Sequence, residues 1–292
     1  MGSGSWSPNT YQQRAKQRQA KGQDVFAYSQ SASGAHPTLN PHGLEIRESR
    51  DNADNPDSNS VIVGLDVSGS MGRVVRGIHA DLPQLLGLLL DRKYVAGPQI
   101  MFAAFSNGTC DQVPVQVGQF ESDNRMDQNL ENMILGGRLA GGCDASYESA
   151  ELLLYLAARH TSIDCWEKRQ RKGYIFLITD EMAYDKVKSN EIKRIFGRDI
   201  GGDIPLQTII EEASERYHIF VLIPTETQSG KNPQIEQFYK SHLEPKNVIK
   251  LDNSGDVSET IGLAIGLTER AITLKDGLEH LKATGSNQRT ID

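Results

Sequence analysis

The sequence lacks the features that would assign it to several large classes of protein. Its longest apolar run, LPQLLGLLL at 82–90, is only half of the roughly 18 residues that a membrane-spanning helix needs. The pattern G-x-x-x-x-G-K-[ST] of P-loop proteins is absent, and no G-x-G-x-x-G follows the first apolar strand-like run. The histidines show no H-x-x-x-H spacing. We therefore expect neither a membrane span nor one of these nucleotide or zinc sites.

Cysteine is also scarce, and basic residues are fewer than acidic ones, 31 against 38. The three cysteines, Cys110, Cys143 and Cys165, are widely spaced and match neither a zinc knuckle nor a disulfide framework. This cysteine usage favours a reducing compartment, so we expect a cytoplasmic protein. The net charge of −7 counts against nucleic acid or an anionic membrane as the partner.

From residue 60 onward, strand-like and helix-like segments alternate. Continuous apolar, β-branched runs predict strands that are buried on both faces. These runs lie at 60–66, 98–106, 173–180, 217–224 and 247–251. Helical patterns separate them, at 73–91, 124–134, 146–160, 188–197, 205–216, 233–242 and 257–272. The alternation predicts a Rossmann-like α/β fold with a mostly parallel central sheet and helices on both faces.

The remaining segments differ in composition from this core. Residues 111–120 alternate polar and apolar side chains around a proline, which predicts an antiparallel edge strand. Residues 1–59 are rich in Ser, Gln, Asn, Asp and Pro, so we expect a flexible N-terminal arm with a short basic helix near 10–22. One domain is expected at 60–272, followed by a C-terminal tail at 273–292.

The stretch GLDVSGSMG at 64–72 places oxygen-bearing side chains where the first strand ends. Asp66, Ser68 and Ser70 occupy alternate positions beside two glycines that permit a tight turn. Ligands of open α/β sheets bind at such strand ends, and hard oxygen donors suit Mg²⁺ or Mn²⁺. Asp180 ends the strand GYIFLITD in the same way. Two carboxylates at one rim repel each other unless a shared cation compensates them.

These residues resemble the metal site of a known family. The segment DVSGS at 66–70 resembles the DxSxS signature of von Willebrand factor A (VWA) domains, and FLITDE resembles that family's third metal-site loop. The resemblance covers residues 58–270 in the order of elements. It implies that the 60–272 domain has a Rossmann-like VWA fold of the bacterial, intracellular type.

The resemblance also implies a metal-ion-dependent adhesion site (MIDAS). In such a site Ser68 and Ser70 bind Mg²⁺ directly, whereas Asp66 and Asp180 bind it directly or through water. An open coordination position then accepts a carboxylate from a partner protein.

The sequence departs from the family pattern in one loop. The family supplies a threonine before its central helix, but GGRLAGGCDASYES at 136–149 contains none. Ser146 is the preferred substitute, judged by its distance from the apolar face of the following helix. Ser149, Glu148 and Cys143 are the alternatives, and the thiol of Cys143 is a soft ligand that suits Mg²⁺ poorly.

We therefore expect an adaptor or scaffold that docks a partner carboxylate on Mg²⁺. By family analogy, the partner is a MoxR-type AAA+ ATPase or a larger assembly. One alternative is a metal-dependent hydrolase or phosphotransferase that uses Asp66 and Asp180, with Glu148 or Glu181 as general base. Another is a VWA protein of a ribonucleoprotein, although the sequence shows no aromatic and basic platform for RNA. We expect a binding protein rather than an enzyme.

Overall fold

The computed structural model describes residues 6–22, 26–136, 146–277 and 279. Its strands are β1 (Arg47–Ser49), β2 (Asn59–Asp66), β3 (Pro98–Phe105), β4 (Val115–Val117), β5 (Tyr147–Glu148), β6 (Thr161–Ile163), β7 (Gly173–Ile178), β8 (Met182–Ala183), β9 (Lys186–Val187), β10 (Ile204–Pro205), β11 (Tyr217–Pro224) and β12 (Val248–Leu251). Its helices are α1 (Pro8–Ala20), α2 (Ala27–Ser31), α3 (Val74–Asp81), α4 (Leu85–Arg92), α5 (Arg125–Glu131), α6 (Ala150–Arg159), α7 (Asp164–Glu167), α8 (Ser189–Phe196), α9 (Leu206–Arg216), α10 (Pro233–His242) and α11 (Val257–Thr268).

A six-stranded sheet in the order β12-β11-β7-β2-β3-β4 forms the centre of the protein. Every neighbouring pair in it is parallel except β3 and β4, which are antiparallel. Every residue of β2, β3 and β7 is buried, as continuous apolar runs require. The structure thus confirms the Rossmann-like α/β fold, with its mostly parallel sheet and antiparallel edge strand.

The two faces of the sheet pack against separate groups of helices. Val61 and Val63 face a core that includes α3, α4, α5 and α11, whereas Ile62 faces the core formed with α6, α8, α9 and α10. Gly64 allows α6 to approach β2 closely, because a Cβ there would lie 2.1 Å from Cδ2 of Leu153. This contact holds the first turns of α6 beside the end of β2.

The helix predicted at 73–91 is broken in the structure. The first helix, α3, ends at Asp81, a 3₁₀ turn spans Leu82–Gln84, and α4 begins at Leu85. Pro83 lies in that turn, where its missing N–H and its ring prevent the α-helix from continuing unbroken.

The described part of the N-terminal segment packs on the domain, which differs from the flexible arm expected over 1–59. Phe26 is 1% exposed, and its ring meets that of His79 edge-on at 4.4 Å. Leu39 is fully buried, and its carbonyl accepts a 2.8 Å hydrogen bond from the Val117 N–H. The polar composition of the segment gives no signal for these two buried apolar residues, through which the segment packs on the domain.

Ion pairs of Arg50 and Asp51 connect the same segment to the charged loop before β7 and to the short helix that precedes it. Both oxygens of Asp51 accept from the Arg169 guanidinium, at 2.8 and 3.0 Å. This pairing holds the pKa of Asp51 well below its usual range, against the opposing effect of burial. Arg50 donates to Oδ1 of Asp164 at 2.8 Å, and the Asp51 N–H donates to Oδ2 of the same carboxylate at 2.8 Å. The basic run at 167–172 is therefore largely neutralised within the chain.

The ends of the domain and the cysteines complete the comparison with the sequence. The tail expected at 273–292 lies mostly outside the described residues, and no described helix is both long and apolar enough to cross a membrane.

Cys110 is disulfide-bonded, whereas Cys165 is free and buried. The spacing of cysteines along the chain could not show this, because folding brings distant segments together. Since disulfides are typical of oxidising compartments, the cytoplasmic location stays a prediction.

Candidate metal centre

Asp66 and Asp180 lie at the carboxyl ends of neighbouring parallel strands. Asp66 is the last residue of β2, and Asp180 follows the end of β7 by two residues. Residue Leu65 of β2 is paired with Ile178 of β7. The chain proceeds from β2 to β3 on one side and from β7 to β11 on the other, so β2 and β7 flank the point where the strand order reverses. Open α/β sheets bind ligands in the crevice at such a point.

The loop after β2 folds back so that its polar side chains converge. The Ser68 N–H donates to Oδ1 of Asp66 at 2.9 Å, and the hydroxyl oxygens of Ser68 and Ser70 are 2.9 Å apart. The Gly72 N–H donates to the Gly69 carbonyl at 3.2 Å. Gly72 has a φ of +49°, in the left-handed region that favours glycine. The glycines thus give the loop the tight turn that brings its side chains together.

Hydrogen bonds connect this loop to the loop after β7. The Ser70 hydroxyl donates to Oδ1 of Asp180 at 2.9 Å. The Thr179 hydroxyl donates to Oδ2 of Asp66 at 2.7 Å. The structure therefore brings Asp66, Ser68, Ser70 and Asp180 into one constellation. Sequence reasoning missed Thr179, for which the available signal was its place directly before the strand-end aspartate.

Two further acidic side chains, Glu148 and Glu181, lie near Asp66 and Asp180, and all four are buried. Burial, and then the charge of Asp180, raise the pKa of Asp66 to about 7. Burial, and then Asp180 and Asp66, raise the pKa of Glu181 to about 7 as well. Burial, and then Asp66 and Glu181, raise the pKa of Glu148 to about 10. Burial also raises the pKa of Asp180. In the described ranges none of the four forms a salt bridge with a lysine or arginine, so a negative charge here is poorly compensated.

Several of the carboxylate oxygens lack hydrogen-bond partners. Oδ2 of Asp180, Oε2 of Glu181 and Oε2 of Glu148 are buried and accept no hydrogen bond. The nearby Thr227 hydroxyl donates instead to the Pro224 carbonyl at 3.1 Å. An unpaired polar atom in a buried site is costly, and a bound cation would relieve that cost.

The side chains of this centre fit a hard divalent cation. The described residues contain no group of three His, Cys, Asp or Glu side chains arranged to hold an ion. An ion here would therefore be held by Asp66 and Asp180 together with the hydroxyls of Ser68 and Ser70. Such an oxygen-only set suits Mg²⁺ or Mn²⁺, which retain several waters.

The residues expected from the third loop occupy different places. Glu148 is buried near the centre, where β5 pairs with β8, and its charge interacts with that of Asp66. The Ser149 hydroxyl accepts from the Gly108 N–H at 2.8 Å, which connects it to the loop after β3. Ser146 is exposed, and Cys143 lies outside the described residues. Which of them contributes to a metal site stays a prediction.

An aromatic pair lies close in the chain to the residues of the centre, since Tyr147 precedes Glu148 and Tyr184 follows Asp180 by four residues. The rings of Tyr147 and Tyr184 stack at 5.4 Å, and Tyr147 is 39% exposed. The Tyr184 hydroxyl donates to Oδ1 of Asn107 at 3.0 Å, which fixes the stack to the loop after β3. Lys188 Nζ lies 4.3 Å from the centroid of the Tyr184 ring. The stack thus leaves aromatic surface partly exposed next to Glu148 in the chain.

Comparison with known proteins gives similarity of fold only. No family profile and no curated protein matches the sequence. The open conformation of the pilus adhesin SpaC from Lactobacillus rhamnosus GG aligns with a TM-score of 0.47 and 11% identity, covering 77% of this chain and 30% of that one. Proximal thread matrix protein 1 from the mussel byssus aligns at 0.46 and 12%, covering 72% and 48%. The conserved hypothetical protein BatB from Bacteroides thetaiotaomicron aligns at 0.42 and 16%, covering 73% and 98%. The chain thus matches less than a third of the adhesin and less than half of the byssus protein.

Proposed function

We propose that the protein is a VWA-like binding module that docks a partner carboxylate on a Mg²⁺ ion. The observation that carries the proposal is the bond from Ser70 to Oδ1 of Asp180, beside the unpaired Oδ2 of the same residue. It joins the DxSxS loop to the second strand-end aspartate at the crevice where open α/β sheets bind ligands. The remaining oxygen of Asp180 is a buried acceptor that a cation would satisfy.

The chemistry of the surrounding residues supports an anionic ligand. Ser68 and Ser70 would contribute neutral oxygens, which leave more of the ion's positive charge for a ligand than carboxylates would. Burial of Asp66 and Asp180 lowers the local dielectric and strengthens such a contact. The partner we propose is a protein that presents an acidic residue. This partner is a MoxR-type AAA+ ATPase, for which the protein would act as an adaptor, or a larger assembly.

The metal site can be tested without knowing the partner. Mn²⁺ is titrated into EDTA-treated protein by calorimetry, for the natural chain and for Asp180→Asn. We expect the variant to bind Mn²⁺ about 10–100-fold more weakly, because it loses a charged ligand. The matched control is Asp203→Asn, which removes an exposed carboxylate paired with Lys186 at 2.9 Å and leaves affinity unchanged. Equal affinity of Asp180→Asn and the natural chain would refute this site.

The docking role needs a second experiment. Tagged protein is recovered from its native extract with Mg²⁺ or with EDTA, beside an Asp66→Ala variant. A partner that is held only with Mg²⁺, and lost from the variant, supports the proposal; one held regardless contradicts it. Hydrolysis of p-nitrophenyl phosphate by the natural chain, abolished in Asp180→Asn, would instead favour the hydrolase.

A further inference from the structure

The two edges of the central sheet differ in how the chain covers them. At β4, the Val117 N–H donates to the Leu39 carbonyl at 2.8 Å, and the Arg47 guanidinium donates to the Val117 carbonyl at 3.1 Å. The N-terminal segment therefore occupies this edge. At the other end of the sheet, β12 pairs with β11, and no described residue pairs with its outer side. Among the described residues, the outer edge of β12 is thus left open for pairing with another strand.

The register of β12 shows which backbone groups face outward. The Thr225 N–H, from the residue after β11, donates to the Leu251 carbonyl at 2.9 Å, so the backbone of Leu251 faces β11. Successive residues of a strand direct their N–H and C=O groups to opposite sides of it. The N–H and C=O of Lys250 therefore face away from the sheet, where a further strand would pair with them.

A large groove lies along this edge, bordered by α10 and α11. Its volume is about 870 Å³, and the partly exposed Ile249 and Leu267 and the exposed Leu274 contribute apolar surface to it. Its basic lining consists of Lys172, Lys240, Lys246, Lys250 and Arg270. Glu236 and Glu244 are the acidic residues of the lining, which leaves an excess of three positive charges.

This basic groove contrasts with the rest of the chain. The protein as a whole carries a net charge of −7, so the charge of the groove is opposite in sign to that of the chain. Lys246 is 77% exposed and Lys250 is 49% exposed, and their ion pairs with Glu244 and Glu236 lie at the surface. Surface pairs of this kind contribute little stability, so an incoming carboxylate can replace them at low cost.

We propose that the groove binds an extended acidic peptide of a partner protein, which adds a strand to β12. The peptide backbone pairs with the outward groups of Lys250, and its acidic side chains meet the surrounding lysines. The positive charge of the groove favours an acidic peptide as the occupant over the residues of this chain that follow Leu274. Leu274 lines the groove, but the sequence beyond it, at 275–292, carries three lysine or arginine side chains and three acidic ones, so it has no net negative charge. This site is independent of the metal centre.

The probe is a fluorescein-labelled (Glu-Val)₅ peptide, whose anisotropy is followed as the full-length protein is added. We expect saturable binding that weakens as the salt concentration rises from about 50 to about 300 mM, because exposed charges are screened. Two control peptides separate the contributions. A (Lys-Val)₅ peptide reverses the charge, and (Glu-Val)₅ with an N-methyl group on every residue keeps the charge but loses the N–H donors of both strand edges. Each is expected to bind at least about tenfold more weakly.

The protein variant that tests the site is the double substitution Lys246→Glu and Lys250→Glu. It changes only exposed side chains and is expected to weaken (Glu-Val)₅ binding at least about tenfold. The control Lys193→Glu reverses a lysine on α8 that is 72% exposed and should leave binding unchanged. Undiminished binding by the double variant, or equal binding of the N-methylated peptide, overturns the proposal. Tighter binding of a synthetic 280–292 peptide than of (Glu-Val)₅ would assign the groove to the protein's own C-terminal residues.

Discussion

The Thr179 hydroxyl donates a 2.7 Å hydrogen bond to Oδ2 of Asp66, and this contact ties the end of β7 to the end of β2. The other carboxylate oxygen of Asp66 accepts from the Ser68 N–H at 2.9 Å. Both oxygens of this buried residue are therefore engaged by the protein itself. Asp66 holds the two loops in place, whereas Asp180, with its unpaired Oδ2, is the more available acceptor for a cation.

Replacing Thr179 by valine removes the donor while keeping the shape of the side chain. We expect a loss of about 1–3 kcal/mol in the free energy of unfolding, because Oδ2 of the buried Asp66 is left unpaired. Urea unfolding at neutral pH measures the loss. Thr179→Ser is the matched control, since it retains the hydroxyl and should lose less. Equal midpoints for the valine and serine variants would show that the hydrogen bond contributes nothing.

Asp180→Asn should stabilise the folded protein when no metal ion is bound and should reduce the stabilisation that Mg²⁺ provides. Burial raises the pKa of Asp180, so its ionised form destabilises the folded protein when no cation compensates it. In EDTA at pH 8, we expect the variant to be more stable than the natural chain by about 1 kcal/mol. Added Mg²⁺ should raise the melting temperature of the natural chain more than that of the variant. Differential scanning calorimetry under both conditions tests this, and a lower melting temperature of the variant in EDTA would contradict it.

The strands of the central sheet were predictable because their signal is local and strong. The apolar runs at 98–106 and 247–251 correspond to Pro98–Phe105 and Val248–Leu251 in the structure. The beginning of α6 was harder. The sequence predicted a helix from residue 146, but residues Tyr147–Glu148 pair with β8, and the helix begins at Ala150. Strand pairing between distant segments leaves no local signal that could mark such a boundary.

The part of the candidate site that depends only on the order and direction of the strands was predictable from the sequence. Neighbouring parallel strands end at the same edge of a sheet, which is why Asp66 and Asp180 could be expected at one rim. Two features depended on packing instead. The burial of Glu148 follows from the pairing of β5 with β8, and that of Phe26 from its contact with His79. Neither contact can be derived from composition or periodicity.

Asp81 provides a pH-dependent contribution to stability away from the metal centre. Its Oδ2 accepts from the Ser258 N–H at 2.7 Å near the start of α11, and burial raises its pKa from 3.8 to about 6. A raised pKa means that the stabilising contribution is complete below pH 3.8 and is lost as the pH rises through 6. The stability of Asp81→Asn relative to the natural chain should therefore increase over this interval, by about 3 kcal/mol at most.

Urea unfolding of both proteins at intervals from pH 4 to about pH 7 measures this difference. The matched control is Asp91→Asn, which changes an exposed carboxylate on α4. A constant difference between Asp81→Asn and the natural chain across the interval would refute the assignment.

Phe26 tests whether the N-terminal segment belongs to the folded domain. Its ring is buried against His79, and the Arg76 guanidinium carbon lies 5.6 Å from the ring centroid. Phe26→Ala should lower the free energy of unfolding by about 3 kcal/mol, because it removes a fully packed aromatic side chain and leaves a cavity. The partly exposed Tyr28, changed to alanine, should cost less than about 1 kcal/mol. If Phe26→Ala unfolds at the same urea concentration as the natural chain, the segment contributes nothing to stability and is an independent arm, as its composition predicted.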